Sequence, residues 1–138
     1  MNRLSRLMLA LALCLPLSLP TAAIAQEHES IIGTWRAPNN TLQVRTAHCG
    51  ELLCGTVTYA SAKAIGDAKS GGYNNLVGTD LFQNYRATGP GTWTGEVLIP
   101  KQGRTYLSRI VQQGPNKILI SGCILGGLFC KSQVWTRE

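Results

Sequence analysis

The chain is 138 residues long, with 13 Lys+Arg against 7 Asp+Glu, a formal net charge of +6, 15 glycines and 5 cysteines. That length excludes an assembly of several domains and is enough for one with a modest core. Tryptophans and β-branched residues spread along the chain exclude intrinsic disorder.

The composition is uneven. Residues 1–25 hold 17 hydrophobic residues, two arginines and one cysteine, with no acid and no glycine. Arg3 and Arg6 precede an apolar run over residues 7–15, closed by Pro16, and Ala23-Ile24-Ala25 has the A-x-A form of a cleavage site. This is the pattern of a secretory signal peptide, with Gln26 as the mature N-terminus. The run falls short of the ~20 apolar residues that a span requires. Cys14 lies inside the run behind Leu13, which is not a lipoprotein arrangement. The expectation is one domain, residues 26–138, periplasmic or secreted after cleavage following Ala25, with no membrane span thereafter.

Export places the remaining cysteines, Cys49, Cys54, Cys123 and Cys130, in an oxidising compartment where an even count suggests disulfides. The simplest pairing is local, Cys49–Cys54 and Cys123–Cys130, each closing a small loop; the two other connectivities stay open. Neither a C-x-x-C redox motif nor the spacing of a four-cysteine zinc site is present.

In chain order, Gly33-Thr34-Trp35 begins a first strand and residues 41–46 alternate as a second. Residues 53–59 form a third, with Leu53, Val57 and Tyr59 assigned to one face. Residues 60–72 read as a long loop with one helical turn at most, over 62–68. Residues 76–85 fit a short strand and a turn of helix equally well. Gly89-Pro90-Gly91 is a turn, and residues 92–99 put Trp93, Val97 and Ile99 inward. Residues 105–113 and 117–123 are strands joined by Gly114-Pro115-Asn116, a hairpin signal. Residues 132–137 are the last strand. Many short strands in one small domain predict an all-β fold, an antiparallel barrel or sandwich. Closure favours the barrel because it leaves no exposed edge.

Several short motifs then come in a consistent order. They are Gly33-Thr-Trp35, Val44-Arg-Thr46, Cys49-Gly50, Leu53-Cys54-Gly55, Leu76-Val-Gly78 and Trp93-Thr-Gly95, followed by residues 100–106, Gly122-Cys123 and residues 133–137. In this set the chain resembles the exported bacterial family known as domain of unknown function 2147 (DUF2147), from Ile32 to Glu138. It departs from the family pattern at Ser70-Gly71, near the usual Asn-Pro, and at Leu98 and Ile99, where a tyrosine and an aspartate are usual. Asp67 matches the family's loop aspartate. The resemblance implies a small lipocalin-like, or calycin, β-barrel. It also implies a structural role for Gly33, Trp35 and Arg137, with the arginine packed over the indole at the closed end.

Catalytic chemistry finds little support. His28 lies near the mature terminus and His48 sits beside Cys49 in a turn; no His-x-x-x-His or Gly-x-Ser-x-Gly motif occurs. Asp67 and Asp80 flank the polar loop, but no motif joins them. No catalytic residue, metal or cofactor is expected. Lys101, Arg104, Arg109 and Lys117 are read as one basic surface, either simply solvated or attracted to an anionic envelope component; nucleic acid is not an expected partner.

The leading expectation is a non-catalytic binding module for a small apolar or amphipathic ligand or an envelope component, with Tyr59, Trp93, Tyr106 and Arg109 as candidate contacts. The alternative is a protein–protein module or inhibitor of an envelope enzyme, acting through residues 60–73 or 126–129. A hydrolase using Asp67, Asp80 or His48 ranks third. An eight-stranded barrel is just wide enough to be filled or to hold one small ligand, and the short chain favours a small or filled interior. Oligomeric state has no signal in the sequence.

Overall fold

The computed structural model describes residues 30–124 and 128–138. Residues 1–25, expected to be a signal peptide, together with His28 and with Leu125, Gly126 and Gly127, lie outside the described residues.

Among the described residues, eight antiparallel strands run up and down around a closed barrel. They are β1 (Gly33–Arg36), β2 (Leu42–Cys49), β3 (Leu52–Ala60), β4 (Asp80–Gly89), β5 (Thr92–Ile99), β6 (Arg104–Gln112), β7 (Lys117–Ile124) and β8 (Phe129–Arg137). One helix, α1 (Ala62–Ser70), follows β3. Closure is made by a short contact, Trp35 opposite Arg137 and Arg36 opposite Thr136.

Period-2 alternation sets the inner face where the strands are regular. Ile118 and Ile120 of β7 are buried while Lys117 is exposed. Buried Ser108 and Ile110 of β6 alternate with exposed Leu107 and Arg109. Two irregularities break the pattern. In β3, Val57 faces Val44 but Tyr59 faces Gln43, so Thr58 is the extra residue of a bulge. Tyr59 is thereby turned outward and Ala60 inward, opposite Leu42. In β4, Gln83 faces Glu96 and Arg86 faces Thr94, leaving Asn84 and Tyr85 opposite Gly95 alone. Asn84 takes a left-handed conformation, φ 55°.

The β4 bulge explains why residues 76–85 were ambiguous. Leu81, Phe82 and Tyr85 are all buried, a spacing that reads as helix, yet they lie on a strand whose phase the bulge resets. Gly95 makes this possible: a Cβ there would sit 2.7 Å from the Tyr85 ring.

The expected single helical turn is instead a nine-residue helix. Ser61 caps it, its hydroxyl accepting from the Ala64 amide at 3.2 Å. Lys69 lies in its last turn, where a cation favours the helix dipole. The helix packs against the turn at Pro100–Gln102 and buries Ala68.

The core is aromatic at its centre. Phe82 meets Tyr85 edge-on, with ring centres 5.9 Å apart, and meets Trp135 at 5.5 Å. Burying a side chain such as Phe82 stabilises the fold by roughly 3 kcal/mol. One end of the barrel is plugged. Trp35 is fully buried there and its Nε1 donates to the Ile31 carbonyl at 2.9 Å. The Thr46 hydroxyl donates to the same carbonyl at 2.6 Å. Both expected cysteine pairs are disulfides, Cys49–Cys54 in the β2–β3 turn at the plugged end and Cys123–Cys130 between β7 and β8 at the other.

Candidate functional site

At the end opposite the Trp35 plug, the barrel opens into a cavity of about 790 Å³. Ligand sites span about 300–1,000 Å³, and this volume includes both the barrel mouth and the cleft between α1 and the β4–β5 ribbon. Elements from most of the barrel meet around it: Leu42 from β2, Phe82 from β4, Val97 from β5, Tyr106 from β6, Ile120 and Gly122 from β7, and Trp135 from β8. Leu81 and Leu98 lie on the opposite face of the β4–β5 ribbon from Phe82 and Val97 and are also buried, joining Leu76 and Ala68 in one apolar cluster. Leu98 and Ile99, the residues that depart from the family pattern, add apolar lining.

Charge enters at few points. Lys63 and Asp67 of α1 form an i,i+4 pair at 2.6 Å, and Lys101 approaches the same carboxylate at 3.9 Å. The Lys63 hydrogen bond, helped by the Lys63 and Lys101 charges, holds the Asp67 carboxyl below its ordinary value. Lys131 is the third lysine of the lining. Tyr106 closes part of the rim by donating its hydroxyl to the Gln102 side chain.

The four sequence-proposed contacts are not brought together. Tyr106 lines the cavity. Trp93 is half-buried in a separate hollow of about 700 Å³ at the plugged end, beside His48, Tyr85 and Gln112. Tyr59 is 41% exposed on the outer wall because of the β3 bulge. Arg109 is exposed on the outer wall because it alternates with buried Ser108 and Ile110. The expected basic surface is also divided. The β6–β7 hairpin sets Arg104 at the open end and Lys117 at the plugged end.

The acids and histidine considered for hydrolysis are likewise dispersed. Asp67 is at the cavity rim, His48 at the opposite end, and Asp80 accepts from the Thr56 hydroxyl at 2.6 Å. Among the described residues, no three His, Cys, Asp or Glu side chains cluster as metal ligands would.

Sequence reasoning missed the inner face of β8. Phe129, Lys131, Gln133 and Trp135 alternate down the wall from the mouth, and all four line the cavity. Counting back in twos from Trp135 would have found them, had the strand not been started at Ser132.

A family model for an uncharacterized protein conserved in bacteria, DUF2147, matches residues 33–137. Among solved structures, the chain is similar to HP1028 from the human pathogen Helicobacter pylori, described as belonging to the lipocalin family. That match has a TM-score of 0.61 at 13% identity and covers 79% of this chain and 83% of that one. No curated protein matches the chain. At that identity the likeness bears on fold, and the fold is a lipocalin-like barrel.

Proposed function

Because the chain belongs to the DUF2147 family and folds as a lipocalin-like barrel, we propose that it is a non-catalytic module that holds a small apolar or amphipathic ligand. The observation that carries this reading is the apolar cavity of about 790 Å³ opposite a plugged end. Removing a ligand's apolar surface from water drives entry, roughly 25 cal/mol per Å² before the costs of association. The closed strand ladder and the Cys123–Cys130 bridge hold the mouth largely preformed, so little ordering is lost on binding.

We further propose that the protein works outside the cytoplasm, periplasmic or secreted. Residues 1–25 have signal-peptide character, and two disulfides fit an oxidising compartment. Among the described residues no helix is long and apolar enough to cross a membrane.

The test is native mass spectrometry of protein taken from its own compartment, together with titration of the neutral fluorophore N-phenyl-1-naphthylamine. The Gly122→Leu variant is the control. A Cβ at Gly122 would meet only Val97 Cγ1, at 3.5 Å, so the added side chain enters the cavity without backbone strain. The expected result is saturable binding by the wild type and at least a tenfold loss in Gly122→Leu. Equal binding by both, or none by either, would overturn the reading.

A second reading, a protein-contact module, draws on the tip of the β7–β8 hairpin, where Leu128 is 80% and Phe129 63% exposed. Crosslinking in the native compartment with and without a Leu128→Ser/Phe129→Ser pair tests it. A partner captured equally by both forms would remove this reading.

A further inference from the structure

Most of the cavity lining is apolar, and its charged groups are not equivalent. Lys63 and Lys101 share Asp67, so their charge is partly met within the protein. Lys131 has no ion-pair partner among the described residues. Its position is set by the strand, not by chance on a surface. It alternates with buried Trp135 on β8, and its register partner on β7 is Gly122, whose Cβ direction points at the inward side chain of Val97. Lys131 therefore stands on the inner face of the barrel, beside a position that has no side chain.

The same row continues into the core. Gly122 pairs with Ser108 of β6, and Ser108 with Gly95 of β5, over which Tyr85 lies. Ser108 is 2% exposed, and its hydroxyl neighbours the buried Tyr85 hydroxyl. Lys131 and Ser108 thus share one face, two strands apart, with only Gly122 between them.

Resting on the binding reading above, we infer that the cavity is selective for an amphiphile with a single acidic headgroup, carboxylate or phosphate, which Lys131 engages while the apolar tail lies against Phe82, Val97, Ile120 and Trp135. Lys131 is exposed toward the open end, so its ammonium can meet an acidic headgroup at the water-facing mouth while the tail lies deeper. A neutral ligand gains no such charge-assisted contact, and a cationic one would be repelled.

Calorimetric titration of the full chain with decanoate, decyl phosphate and decanol, which share one tail, tests the inference. One or both acids should bind about tenfold tighter than decanol, as a charge-assisted contact supplies. Which acid gains identifies the headgroup. Lys131→Met should abolish the advantage, with urea unfolding to show that the variant is folded; Lys131→Arg should retain it. Decanol binding as tightly as both acids would overturn the acid selectivity and leave the binding reading standing. An acid advantage that survives in Lys131→Met would overturn the assignment to Lys131. Failure of all three to bind would overturn both readings.

Discussion

The guanidinium carbon of Arg137 lies 4.3 Å from the ring centre of Trp35, which joins the last strand to the first across the plugged end of the barrel. The same side chain donates to three carbonyls, Pro115 at 2.8 Å, Ile32 at 3.1 Å and Ser30 at 2.7 Å. One residue thus ties together the β6–β7 turn, the segment ahead of β1, and the indole that fills the barrel's base. Gly33 is its necessary neighbour, since a Cβ there would collide with the guanidinium.

Arg137→Ala should therefore cost about 2–4 kcal/mol, from the lost cation–π contact and hydrogen bonds. Urea unfolding checks this. Arg137→Lys should recover less than half, because an ammonium lacks the planar fork that stacks on the ring and reaches three acceptors. Ligand binding at the far end should be unchanged in protein that remains folded.

Gly95→Ala should destabilise the barrel by about 1–3 kcal/mol, the usual range for overpacking. The added methyl would sit 2.7 Å from the Tyr85 ring and 2.7 Å from the Gln83 carbonyl. Gly122→Ala, with an ordinary contact to Val97, should be close to neutral. Comparing the two by thermal unfolding separates close packing from general intolerance of glycine replacement.

Tyr85 should make the protein sensitive to alkali. Burial pushes its phenol well above the ordinary 10.0, with the neighbouring Ser108 hydroxyl partly offsetting this. Above about pH 10 the unfolded chain releases this proton and the folded one holds it, so stability is full below that pH and falls as pH rises further. Tyr85→Phe should flatten this part of the decline when unfolding free energy is followed from pH 9 to 11. An identical pH slope in both proteins would refute the assignment.

The two disulfides should separate by function. Each closes a loop of similar length, with sequence separations of 5 and 7, and removing either should cost about 2 kcal/mol on the chain-entropy model. Only the Cys123→Ser/Cys130→Ser pair should also weaken ligand binding, because Ile124, Phe129 and Lys131 beside it line the cavity. The Cys49→Ser/Cys54→Ser pair lies at the other end and should leave affinity intact.

Tyr59→Ala and Arg109→Ala should leave ligand affinity unchanged, since both residues stand on the outer wall. Trp135→Ala should weaken binding severalfold or more. Fluorophore titration against all three variants reads this directly.

How far the sequence could be read depended on local regularity. β5, β6 and β7 were legible nearly to the residue, because their apolar positions alternate and Gly114-Pro115-Asn116 marks the turn between β6 and β7. The β3 and β4 bulges defeated the same method. An inserted residue shifts the phase of every side chain beyond it, so Tyr59 was turned out and Tyr85 turned in. The α1 helix was underestimated because most of its burial comes from packing on the Pro100–Gln102 turn, a contact distant in sequence.

The sequence by itself determined an all-β domain through alternation, offered the local cysteine pairs as the simplest of three connectivities, and pointed to Trp35 and Arg137 at one closed end through its family resemblance. Only the tertiary structure decided that the other end is hollow and that Lys131 stands in its wall. A cavity is a sum over side chains from many strands. Its volume depends on which of them the bulges turn inward, and no local pattern carries that sum.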